Sequence, residues 1–258
     1  MWRRVLCLAA VILAILLLAI VPARSQTPAP KPMAGMKMDA DTSDVLAADA
    51  NEQMSGGMMM DSPHMKMTPL QAPKPGDSAR ADSIVKQLRV ALARYQDYNV
   101  ALADGFRIFL PKVPQKVYHF SNLHSAVYSA FTFDAARPTS LLYRKTADGY
   151  QLVGAMYTAP KREDLAQLNA RVPLSVAQWH EHVNLCVPPK DQLQRMTESK
   201  DGQLLFGTKG SITTQEACTA AGGRFFPQLF GWMVHVNPWE TDPKLVWGTH
   251  EHGGGHEE

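Results

Sequence analysis

From Gln26 to Arg80 the chain carries no Phe, Trp or Tyr, and that gap decides where a core can form. The same stretch holds seven prolines and nine of the thirteen methionines, with few branched apolar residues. Such a segment cannot bury enough surface to offset its chain entropy, so residues 26–80 read as a disordered Met/Pro-rich tether. A core must therefore come from residues 81–247. A domain of roughly 170 residues buries around 70% of its unfolded surface, enough for one ordinary core.

Residues Val5 to Val21 form an unbroken apolar run of 17 behind Arg3 and Arg4. Ala23-Arg24-Ser25 puts small residues where a signal peptidase reads, so residues 1–25 are expected to be a signal peptide cleaved before Gln26. An uncleaved anchor is the alternative. Export to the periplasm or beyond follows, with membrane contact only through this segment. A cytosolic enzyme and a multi-span membrane protein are both disfavoured. The net charge of +2 divides as +3 for residues 1–25, −2 for residues 26–80 and +1 for the rest. No basic stripe remains to hold a phosphate backbone, so no nucleic-acid partner is expected.

Ile84, Leu88, Ala91, Leu92, Tyr95 and Leu102 follow helical spacing, with Gly105 placed to end the helix. Beyond Pro111 and Pro114 the pattern turns to strands. Thr146-Ala147-Asp148-Gly149 separates two apolar runs, a hairpin signal. Glu163 to Ala170 reads as a short helix. Thr213 or Thr214 can cap another that passes through Cys218 and stops at Gly222-Gly223. Phe230 to Val236 is strand-like, and residues 248–258 form a disordered His-rich tail. The expected fold class is α+β, an N-terminal amphipathic helix packed on a largely antiparallel sheet, with barrel-like closure as one form of it.

The most informative segment runs from Val176 to Cys186. Read with a period of two, one face carries Ala177, Trp179, Glu181, Val183 and Leu185. The other carries Gln178, His180, His182, Asn184 and Cys186. As a strand, His180 and His182 project the same way with Cβ atoms about 7 Å apart, close enough to lean onto one metal. As a helix they would stand about 200° apart and lose the shared site. His235 in Phe230 to Asn237 and His119 in Val117 to Asn122 offer further strand-borne imidazoles. Three or more on facing positions could form a facial metal site, as in cupin-type barrels. The bland alternative makes each histidine a hydrogen-bonded polar group on a half-buried sheet face.

Two cysteines remain after residue 25, Cys186 and Cys218. An even count in an oxidising compartment favours a disulfide, worth about 3–4 kcal/mol for a loop of this length. The competing reading joins the Cys186 thiolate to His180, His182 and Met233 as a copper site. In the tether, Met33, Met36 and Met38, then Met58, Met59, Met60, His64, Met65 and Met67, occur where no core exists for methionine to fill. Soft thioethers select Cu(I), and His64 could add a nitrogen; the alternative is a biased linker with no ligand. His250, His252 and His256 are further donors in the tail. This tether resembles the Met-rich stretches of exported copper-resistance proteins.

Several motifs fail. His180-Glu181-His182-Val183-Asn184 is not H-E-x-x-H, and no phosphate loop, G-x-S-x-G, C-x-x-C or G-x-G-x-x-G is present, so no nucleotide is expected. The blocks YHFSN, FDAARPTSLLY, GYQLVGAMYTAP, WHEHVNLCVPP and AAGGRFFPQLFGWMVHVNPWE resemble a family of exported bacterial proteins of uncharacterised function, over about residues 95–247. The resemblance implies that His119, His180, His182 and His235 lie in recurrent blocks, without giving them a role. The leading expectation is an exported protein that binds or handles a soft or borderline metal, copper first and zinc or iron next, without turnover. A cupin-like metal-dependent enzyme and a non-metal envelope-stress module are the alternatives.

Overall fold

A computed structural model describes residues 62–109, 111 and 115–248. The expected signal peptide, Met33 to Met60 and the tail histidines His250, His252 and His256 lie outside the described residues. Strand β1 (Met65–Met67) comes first, followed by helix α1 (Asp77–Leu92), a short 3-10 turn and α2 (Tyr98–Ala103). Strands β2 (Arg107–Ile108) and β3 (Tyr118–Ser121) lead to α3 (Leu123–Ser129), then β4 (Ser140–Thr146) and β5 (Gly149–Ala159). Helix α4 (Leu165–Arg171) precedes β6 (His180–Val187). A two-stranded ribbon, β7 (Ser199–Lys200) with β8 (Gln203–Leu204), precedes α5 (Gln215–Ala220). Strands β9 (Arg224–Gln228) and β10 (Trp232–Val236) and helix α6 (Pro243–Val246) are the last elements among the described residues.

The main sheet runs β1-β6-β10-β5-β4-β3-β2, with β9 added to the far half of β6, and each of these pairings is antiparallel. This is the α+β fold expected, without the barrel: β1 and β2 do not pair, so the sheet stays open. Its termini are strands of three and two residues, too short to be long exposed edges. Among the described residues no helix is long and apolar enough to cross a membrane.

The local signals explain the elements. Ala147 and Asp148 make a two-residue loop between Thr146 and Gly149, which pair across the β4–β5 hairpin. Gly149 sits at φ +137°, and a Cβ there would meet the Tyr98 ring at 2.7 Å. Asp164 caps α4 in a capping box with Gln167, and the Thr214 hydroxyl caps α5 through Ala217. Helix α1 lays Ile84, Leu88 and Leu92 on one face of the sheet, against a core holding Phe120, Leu141, Tyr143, Trp179 and Val234. Leu88 and Leu92 are fully buried, a gain of about 1.5–3 kcal/mol each.

The tether boundary is corrected. Residues 62–80 are ordered: Met65–Met67 is a strand and α1 begins at Asp77. The strand is tied along its length. Val183 N–H donates to the His64 carbonyl at 2.9 Å, and Thr68 N–H to the Trp179 carbonyl at 2.8 Å. The Thr68 hydroxyl accepts from Trp179 N–H at 3.0 Å. The partner strand β6, not local apolar content, supplies this order.

Candidate functional site

Cross-strand partners in an antiparallel sheet point to the same face. In the face opposite α1, Met65 pairs with His182, and Met67 with His180. His180 pairs onward with Met233, His235 with Met156, and His119 with Leu142. One face thus collects His119, His180, His182 and His235, each with a methionine or leucine beside it. The alternation read for β6 holds through His182. It breaks at Asn184, which adopts φ 56°, a left-handed conformation that Asn tolerates. There β6 leaves β1 and β10 and takes up β9. Close by, Gly231 lets β10 lie against β5, since a Cβ at this position would meet the Ala159 carbonyl at 2.2 Å.

The four rings stand together. The His180 centroid is 5.1 Å from that of His235 and 5.9 Å from that of His182, and His235 is 5.6 Å from His119. All four residues are buried, His180 and His182 completely. Both ring nitrogens of His119, His180 and His182, and Nε2 of His235, lack a hydrogen-bond partner within the protein, seven nitrogens in all. The Val117 backbone lies near enough to His119 to raise its pKa, against the effect of burial.

Burial dominates the electrostatics. It pulls His180 down to about 3, with His182 and His119 adding to the shift. His119 falls to about 4, through burial and then His182, and His182 to about 4, through burial and then His64. Burial also holds His235 well below the ordinary histidine range, helped by His180, His119 and His182. All four are neutral at pH 7, with lone pairs available and no proton to displace.

Among the described residues, no group of three or more His, Cys, Asp or Glu side chains is placed to hold a metal ion. The rings are packed beside one another, not aimed at a common centre. Two imidazoles sharing a tetrahedral ion at about 2 Å per bond bring their centroids to about 5 Å. The three neighbouring separations, His180–His235, His180–His182 and His119–His235, are close to that.

The remaining candidates divide clearly. His64 is buried, but its Nδ1 faces the Asn184 carbonyl at 3.0 Å and its Nε2 the Gly210 carbonyl at 2.7 Å. It anchors β1 and is withdrawn from the donor set. Cys186 on β6 and Cys218 on α5 form a disulfide, which removes the copper-thiolate alternative. Met65 and Met67 do reach the site, as strand neighbours of the histidine pair. Met58, Met59 and Met60 lie outside the described residues. Glu181, the exception on the apolar face, is buried and paired with Lys66 at 2.9 Å and with the Gln228 amide. Sequence reasoning missed Met156, because its face depends on the β5–β10 register and no local pattern announces that. No family model, curated protein or solved structure matches the chain.

Proposed function

We propose that this chain is an exported protein that holds a transition-metal ion, copper first, among the imidazoles of His119, His180, His182 and His235. The observation that carries the reading is the clustering of four buried imidazoles, each with at least one ring nitrogen that has no protein partner and so could meet an ion. Each such group costs about 1–3 kcal/mol when buried, and although Trp179 Nε1, Trp232 Nε1 and one Arg171 nitrogen also lack a partner, nowhere else among the described residues do such groups gather on adjacent rings. A purely structural role would give each ring its own hydrogen bond. Imidazole donors suit copper, zinc and iron, and the methionines on the same face tilt the choice to copper. The disulfide supports an oxidising compartment, in keeping with export.

Binding or handling is favoured over turnover. A cupin-like enzyme needs an open coordination position facing its substrate. Here His180 and His182 are fully buried. The test is elemental analysis of the full-length protein and of its His180→Gln/His182→Gln variant after copper loading and gel filtration. The wild type should carry about one more copper per chain than the variant, with both folded by circular dichroism. Equal copper content would remove the imidazole site.

A further inference from the structure

Met65 is buried, yet it belongs to none of the apolar clusters formed by the described residues. Among the described residues, no apolar cluster accounts for its burial. Its cross-strand partner is His182, and two residues on Met67 faces His180 in the same way. Directly opposed residues have Cβ atoms about 4.5–5.5 Å apart on one face of the sheet. The flexible thioether of methionine spans that distance easily. Met233 lies across His180 on the other side, so His180 is flanked by a methionine on each neighbouring strand. Met233 does pack in an apolar cluster, with Leu142 and Met156, so its place has an ordinary explanation that Met65 lacks.

Strand β1 is held in register by bonds that do not involve its methionines. Lys66 pairs with Glu181 at 2.9 Å and also lies 5.0 Å from the centre of the Trp232 ring. The two His64 ring contacts and the three Thr68 bonds, one of them from the Gln178 amide to the Thr68 carbonyl, fix the ends. The backbone thereby places the Met65 and Met67 side chains beside the two histidines without using either sulfur as a fastener.

We infer that Met65 and Met67 are thioether donors to the histidine centre, which makes it a mixed imidazole–thioether site selective for Cu(I). This rests on the imidazole site proposed above and adds its oxidation state and its sulfur ligands. Thioethers are soft and favour Cu(I); neutral imidazoles alone would accept Cu(II) or Zn(II) as readily.

The test uses the full-length protein with 13C-methyl methionine. The Met65 and Met67 methyl signals are assigned from the Met65→Leu and Met67→Leu variants, which nearly conserve side-chain volume. One equivalent of Cu(I) is added anaerobically under ascorbate. Both signals should shift, and they should stay in place in the His180→Gln/His182→Gln variant. The Met65→Leu/Met67→Leu protein should hold Cu(I) at the histidine site at least about tenfold more weakly, with Zn(II) affinity unchanged. The proposal is overturned if Cu(I) binds in a histidine-dependent way while both methyl signals stay fixed, or if Cu(I) and Zn(II) weaken alike. If no metal binds in a histidine-dependent way, the imidazole site itself fails and this inference with it.

Discussion

A fully buried imidazole without a partner lowers the stability of the metal-free protein, and that gives His180 a test independent of any metal. Both of its ring nitrogens lack a protein partner. His180→Leu should therefore raise the stability of chelator-treated protein by about 1–2 kcal/mol, read from urea unfolding. A loss of that size would mean the ring is a structural element. The depressed pKa values make a second prediction. Unfolded histidine titrates near 6.5, while His119 and His182 are held to about 4 and His180 to about 3. Below pH 6.5 the unfolded chain binds protons that the folded chain refuses, so stability falls with pH. Metal-free protein should be equally stable from pH 7 to 8 and lose stability progressively from about 6.5 towards 4. Urea midpoints at half-unit steps check this; a flat profile across that window would contradict the burial of neutral rings.

At the scale of elements, β1 joins the aromatic-poor segment to the site. The Thr68 hydroxyl accepts from the buried Trp179 N–H, one residue before the histidine strand. Thr68→Val keeps the shape and strands that N–H, so it should cost about 1–3 kcal/mol in thermal or urea unfolding. No change would mean the strand is not seated on β6. This element was not legible in the sequence. Three residues of a biased stretch carry no period, and their order comes from β6, more than a hundred positions away. What could be read was what local chemistry writes: the short helix near Glu163 to Ala170, a cap at Thr213 or Thr214, the hairpin at Ala147-Asp148 and the shared face of His180 and His182. The rest depends on long-range pairing. The break at Asn184, the open edges in place of a barrel and the placing of Met156 beside His235 all come from which strands meet. The diversion of His64 to two carbonyl oxygens has the same origin.

At the scale of the whole molecule, the two sheet faces divide the labour. One carries the core under α1; the other carries the histidines and methionines. The disulfide fastens β6 to α5 near the end of the same strand, closing a span of 32 residues. Its reduction should lower stability by about 3–4 kcal/mol in the chain-entropy account. Thermal unfolding with and without reductant measures this, and an unchanged midpoint would show that the bridge does not constrain the unfolded chain. If imidazoles of this cluster share one ion, crystals of copper-loaded full-length protein will reveal it. Anomalous scattering at the copper edge should show one peak on the sheet face opposite α1. At least two ring nitrogens from His119, His180, His182 and His235 should lie about 2 Å from it, which leaves a four-coordinate ion room for the Met65 and Met67 sulfurs. A copper-loaded crystal with no peak among these rings, and the four imidazoles still packed side by side, would exclude a metal site on this face.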